Sequence, residues 1–304
     1  MLRHFTAICL ALLLLPQTTT AQSREMVGYG RLFTNDFLAE VKDRWRSGSF
    51  VSSRIWSFSG DGMLPQQPGE ALELRLGAEI ITPQNVANPA PGDRPFAGVL
   101  SAGLHTHFMR GGTDFALGGD LVFVGPQTRM DRFQDTFHDL VGMNTTSAQT
   151  RADQVGDAVY LSIVAEAGHD IAVSDTVTIR PFVEARTGVE TLARMGADMT
   201  FGGLTNGELL VRDGVTGQRY RTRPGSQRGY AFLLGADFAA VASSNYFTDS
   251  AGVTVRDTRN RYRGGIHWLA GPVQSFYGLT YLDKEFEGQP EGQLVGSIRV
   301  GFSF

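Results

Sequence analysis

The sequence predicts an all-β fold: a closed antiparallel transmembrane β-barrel of about twelve strands, with a short helix in an outer loop. Three observations carry this expectation. Long segments alternate apolar and polar residues, the polar faces of several carry successive charges, and the chain opens on an export-type leader and closes on an aromatic residue.

The alternation is plainest at the end of the chain. Leu294, Gly296, Ile298, Val300, Phe302 and Phe304 share one face, while Ser297, Arg299 and Ser303 share the other. The pattern recurs at Val177, Ile179, Pro181, Val183 and Ala185 against Thr178, Arg180, Glu184 and Arg186, and again at Leu100, Ala102, Leu104 and Phe108 against Ser101, His105 and His107. A soluble sandwich alternates too, but its hidden face would rarely hold Arg180, Glu184 and Arg186 together. In a membrane barrel that face is the lumen. A terminal phenylalanine on an amphipathic last strand is similar to the recognition signal of bacterial outer-membrane barrels.

At the other end, Met1 to His4, the apolar run Ile8 to Leu15 and Thr19-Thr20-Ala21 read as a signal peptide over 1–21. Residues 22–304 then form one barrel domain, with no linker or low-complexity tract to divide them. The only cysteine, Cys9, leaves with the leader, so the exported chain needs no disulfides. No later run approaches about 20 apolar residues, which excludes a membrane helix. The net charge of −4 argues against a nucleic-acid partner, and a monomer is expected.

In chain order the strands fall near 27–38, 48–60, 70–82, 96–109, 113–125, 156–170, 175–187, 190–204, 228–241, 260–270, 273–286 and 292–304. An even count places both termini in the periplasm. The connections after strands one, three and five, Ala39 to Ser47, Pro83 to Pro95 and Pro126 to Val155, then share the outer mouth. Thr205 to Gln227 fits poorly, being long and charged where a short periplasmic turn is usual. Either it folds onto the rim or the count is off by one.

The third outer connection holds the densest chemistry. Thr128 to Val141 reads as a helix, with Thr128 as N-cap, Gly142 as stop, and Met130, Phe133, Phe137, Leu140 and Val141 on its apolar face. Gln134 and His138 stand one turn apart on the shoulder of that face. Alone, His138 is equally readable as a helix-surface histidine. Near the end of strand one, Asn35 can donate to an oxyanion, and Asp36 can ligate a hard cation or orient an imidazole. Both serve one site only if the strand ends or bulges there. Asp93-Arg94 reads as a local charge pair fixing the turn before Pro95. His105 and His107 read as solvated lumenal histidines rather than metal ligands, no neighbouring carboxylate completing a set.

Asn35-Asp36, Asp43-Arg44 with Ser47, Asp93-Arg94-Pro95-Phe96-Ala97-Gly98, Val124-Gly125-Pro126, Gln134 with His138, Ser244-Asn245-Tyr246-Phe247 and Lys284 to Gln289 occur in the order of the LpxR-type lipid A deacylases. The chain resembles that family over nearly all of its exported length. The resemblance implies an outer-membrane barrel that uses calcium to hydrolyse the 3′-linked acyloxyacyl ester of lipid A, at a site between the barrel wall and a helix of an outer loop. Carried over, His138 is the general base, with Asn35 and Gln134 beside it. Asp36, Ser47 and Asn144 are the cation region, and Arg46 and Arg94 meet the substrate's phosphate. An alternative register aligns Gly48 and puts Arg46 at the place of Ser47. Asn144 stands where the family has a glutamate, and the tryptophan element that usually follows the helix is absent. A hydrolase of another membrane lipid, or a structural barrel without activity, are the alternatives. No Gly-x-Ser-x-Gly sequence occurs, which agrees with a base that activates water rather than serine.

Overall fold

The computed structural model describes residues 23–58, 64–204, 207–223, 228–247, 252–270 and 273–302. The expected leader 1–21 and the terminal Phe304 lie outside them. The strands are β1 (Glu25–Asn35), β2 (Trp45–Ser57), β3 (Ala71–Thr82), β4 (Ala97–Arg110), β5 (Thr113–Val124), β6 (Ala158–His169), β7 (Ile171–Ser174), β8 (Val177–Thr187), β9 (Glu190–Phe201), β10 (Leu209–Arg212), β11 (Arg219–Arg223), β12 (Gly229–Ser244), β13 (Thr258–Ala270), β14 (Val273–Leu282) and β15 (Gln293–Phe302). Helices α1 (Met130–Val141) and α2 (Ala148–Ala152) lie between β5 and β6.

Neighbouring walls pair antiparallel, and β1 pairs with β15, Phe33 opposite Ile298, so the sheet closes on itself. β6 and β7 are two parts of one wall, broken at Asp170 and both paired with β8, which makes twelve walls as expected. Closure removes the exposed strand edge that an open sheet would present. Among the described residues no helix is long and apolar enough to cross a membrane; the strands do that work. Most strand ends fall within a few residues of the expected ones. β14 stops at Leu282, because the chain beyond it leaves the wall and makes an isolated bridge, Val255 with Phe286.

The two faces differ as the alternation requires. On β8, Val183 is 54% exposed on the outer surface, while Arg180 and Glu184 are 6% and 5% exposed in the lumen. The interior therefore carries an ion-pair lattice, interrupted by apolar clusters such as Leu192, Ala239 and Val241. Asp237 accepts from Arg261 Nε at 2.9 Å and also meets Arg194 and Arg263. Removing one member of such a set leaves a buried charge unpaired, at a cost of about 3–5 kcal/mol.

The segment that fitted poorly is neither a rim loop nor a miscount. β10 and β11 form a hairpin inside the barrel, with Thr216, Gln218, Tyr220, Arg221 and Thr222 fully buried. The three outer connections do share one mouth, at the end opposite the termini. Ser147 N and Thr150 Oγ1 donate to Val86 O at 3.0 and 2.8 Å, and Val155 N donates to Phe96 O at 2.8 Å.

Candidate active site

Helix α1 is turned inside out relative to a helix on a soluble protein. Asp131, Gln134, Asp135 and His138, at helical spacing, form a buried polar face, Gln134 and His138 each 3% exposed. Phe133, Phe137 and Leu140 point away from the barrel at 62%, 53% and 81% exposure. Beside lipid, the apolar face belongs outside. The helix starts at Met130, two residues later than expected, because Thr128 closes a 3-10 turn, its Oγ1 donating to Gly125 O at 2.7 Å. Gly142, at φ 72°, ends it as expected. Asp135 fastens it, accepting from Thr146 N at 2.7 Å and from Arg151.

Strand β1 ends at Asn35, whose Oδ1 accepts from Phe37 N at 2.8 Å and caps the 3-10 turn Asp36–Leu38. Asp36 is fully buried; its Oδ2 accepts from Arg44 N at 2.8 Å and Gln293 Nε2 at 3.3 Å, while Oδ1 has no partner. Burial, with the charge of Asp43 adding to it, raises the Asp36 carboxyl to about 8. On β2 the register slips between Arg46 and Gly48, so Ser47 is a bulged residue. Gly48 lies opposite Asn35, and a Cβ on it would stand 3.1 Å from Asn35 Nδ2. The missing side chain leaves room for that amide.

The loop between β1 and β2 supplies the hub of the site, Asp43. Gln134 Nε2 donates to its two oxygens at 3.2 and 3.1 Å, Ser47 Oγ donates to Oδ1, and His138 Nε2 lies 3.2 Å from Oδ2. His138 Nδ1 donates to the backbone carbonyl of Asn144 at 2.5 Å. Val41 at φ 57° and Trp45 at φ 49° bracket Asp43. A β-branched residue in the left-handed region is costly, and such strain clusters at functional segments. Around this polar centre runs a groove of ≈ 1610 Å³, open to solvent and walled by Phe33, Phe50, Ile80, Met130, Phe137 and Val141.

Of the residues expected at the site, Asn35, Ser47, Gln134 and His138 line this groove together. Asp36 lies behind it. Asn144 contributes its carbonyl, its side chain being exposed. Arg46 and Arg94 are not in the groove: Arg46 donates to Glu285 at 3.0 Å and Glu79 at 2.5 Å, and Arg94, 1% exposed, binds Glu285 and stacks over Phe247. The bulge sends Arg46 to the lumen, and the pair with Glu285 holds Arg94 there. Asp93 fixes its turn through the backbone, accepting from Arg94 N and Gln84 N at 2.8 and 2.6 Å, rather than through the expected charge pair. Lys42 is the cation at the groove. His105 and His107 do have carboxylates beside them, Asp120 at 3.0 Å and Glu73 at 2.6 Å, each closing a lumenal pair.

No group of three or more His, Cys, Asp or Glu able to hold a metal occurs among the described residues. The donors at hand are oxygens: the unpartnered Asp36 Oδ1, the Asp43 carboxylate, Ser47 and Asn35. A buried acceptor without a donor, next to a second carboxylate, suits a hard cation.

The family model described as outer membrane protein LpxR matches residues 6–304. Among solved structures, LpxR from Salmonella typhimurium aligns with a TM-score of 0.75 and 18% identity, covering 91% of this chain and 100% of that one. The NanC porin aligns at 0.41 and 6%, covering 91% and 100%. The translocator domain of autotransporter NalP from Neisseria meningitidis aligns at 0.41 and 8%, covering 99% and 96%. No curated protein matches the chain.

Proposed function

Because the chain belongs to the LpxR family of outer-membrane β-barrels, we propose that it is a calcium-dependent lipid A 3′-O-deacylase, with His138 as general base. The observation that carries this reading is the cluster of His138, Asp43, Gln134 and Ser47 at the floor of an apolar groove, beneath a helix whose apolar face is exposed. Acyl chains suit such walls, and an ester reaching the floor meets an imidazole.

The Asn144 carbonyl accepts the Nδ1 proton, so the neutral ring carries its lone pair on Nε2, beside Asp43, and Nε2 is the atom that takes a proton from water. Water attacks the acyl carbonyl as Nε2 removes its proton. The imidazolium so formed is 3.2 Å from Asp43 Oδ2 and is stabilised there. Asn35 Nδ2, in the space above Gly48, is the donor available to the oxyanion. Collapse returns the proton to the departing sugar oxygen, releasing the acyloxyacyl chain as its acid. Ser47, committed to Asp43, is a positioning residue rather than a nucleophile. When bound, calcium would supply positive charge against the developing oxyanion, held by Asp36 and Asp43 with oxygens of Ser47 and Asn35.

In this reading the termini lie in the periplasm, which the even number of walls supports, and the groove faces the outer leaflet, where lipid A resides. Mass spectrometry of lipid A from cells expressing the chain tests the reading. Loss of one acyloxyacyl unit is expected; loss of fatty acid from phospholipid instead points to another lipid substrate, and an unchanged lipid profile to an inert barrel.

A further inference from the structure

A barrel of twelve walls is wider than its own inward side chains can fill, eight being about the number at which they suffice. This chain adds a hairpin. β10 and β11 run up the lumen from the end that carries the termini and turn back at Asp213–Gln218, where Thr216 N and Oγ1 donate to Asp213 Oδ2 at 2.8 and 2.6 Å. Gly217, at φ 73°, makes that turn.

The hairpin is fastened to walls on several sides, with a small cavity left between it and His105, His107 and Phe115 of β4 and β5. Tyr220 and Ser53 of β2 share a hydrogen bond at 2.6 Å. Arg212 donates to Glu166 of β6 at 2.9 Å and Asp198 of β9 at 2.8 Å. Arg261 of β13 donates to Gly214 O at 2.9 Å, and Gln218 Nε2 to Leu279 O of β14 at 3.1 Å. On β1, a Cβ at Gly30 would stand 2.7 Å from Arg221 O, so a glycine is needed where the hairpin backbone passes. Val211 and Tyr220 also pack with Leu32, Val51 and Phe276, an apolar seat for the hairpin. Above the tip lies a chamber walled by Arg75, Ser101, Asp120, Arg186 and Arg259, with Arg46 and Glu285 over it.

We propose that the β10–β11 hairpin is a plug, sealing this chamber from the side of the termini so that the barrel offers no path for solutes. The groove on the outer wall then works against a closed barrel, and passage through the lumen is not a function of this protein.

The exported chain has no cysteine of its own, so a single Ser101→Cys reports on the chamber without interference. The purified, detergent-folded protein is treated with a charged maleimide, and the rate is compared with that of a cysteine on the exposed loop, Asn88→Cys. In the intact chain Cys labelling at 101 is expected to be at least about 100-fold slower, limited by local opening. Deleting residues 207–223, or weakening the seat with Gln218→Ala should the deletion not assemble, is expected to raise the rate at least about tenfold while the barrel keeps its heat-modifiable mobility on gels. Labelling of the intact chain at the rate of the exposed control overturns the proposal. So does a folded hairpin variant whose chamber stays as slow as in the intact chain.

Discussion

Asp43→Asn removes one charge from the hub of the groove, and because the same carboxylate would help hold calcium the variant is assayed at saturating calcium. The asparagine keeps the shape, and its oxygen still accepts from Gln134 Nε2 and Ser47 Oγ. What disappears is the anion 3.2 Å from His138 Nε2, in a pair whose side chains are 4% and 13% exposed. Two unit charges at that separation interact by about 5 kcal/mol at an effective dielectric of 20 and by about 1 kcal/mol in bulk water. Burial puts this pair nearer the first limit, while donation from Gln134 and Ser47 offsets part of the attraction. A loss of about 3 kcal/mol in the transition state, where the imidazolium exists, corresponds to a turnover about 100-fold lower. At saturating calcium KM should move little, because the part of the charge that acts on His138 is needed only once the proton has transferred. Lipid A hydrolysis by the purified protein, followed by mass spectrometry at saturating substrate, measures it, with heat-modifiable gel mobility confirming the fold. Turnover within about threefold of the native value would refute the part given to Asp43.

His138→Asn should lower turnover at least about 100-fold, whereas His105→Asn and His107→Asn, which alter lumenal pairs behind the wall, should leave the rate within about threefold. A native rate in the His138 variant moves the base elsewhere. Asn144→Ala should also stay within about threefold, since its carbonyl and not its exposed side chain meets His138; a large loss would assign the amide a direct role. EGTA should stop hydrolysis and added calcium restore it. Because burial holds Asp36 near 8, its proton competes with the cation, and deprotonation as pH rises from about 6 to 9 should lower the calcium concentration needed for half-activity. A calcium requirement independent of pH, or full activity in chelator, would remove Asp36 from the cation site.

The barrel was legible in the sequence because period-two alternation is imposed by lipid on one side and lumen on the other, and Arg180, Glu184 and Val183 show both halves of that rule. The helix was legible as a helix but not in its orientation. The same apolar stripe that faces a core in water faces outward here, which brings Gln134 and His138 to the wall. Asp43 was visible only as an Asp-Arg pair in a loop. Its importance arises from Gln134 and His138 meeting it across 91 and more residues of chain, with Ser47 joining them from the nearby bulge, and from positive φ at Val41 and Trp45, none of which the sequence announces. Arg46 left the groove for a related reason, since a one-residue bulge reverses the side to which a side chain points, and Arg94 is drawn inward by Glu285, distant in sequence. The hairpin announced itself as an anomaly of length and charge, but nothing local says that a turn folds inward.

The measurement that bears most directly on the central claim is hydrolysis of purified lipid A by the purified protein, with calcium, in water enriched in oxygen-18. Water attack at the acyl carbonyl predicts release of the 3′-linked acyloxyacyl chain as a free acid carrying one heavy oxygen in its carboxyl group, with the sugar hydroxyl unlabelled. Intact lipid A, or heavy oxygen on the sugar with none in the acid, would contradict the account.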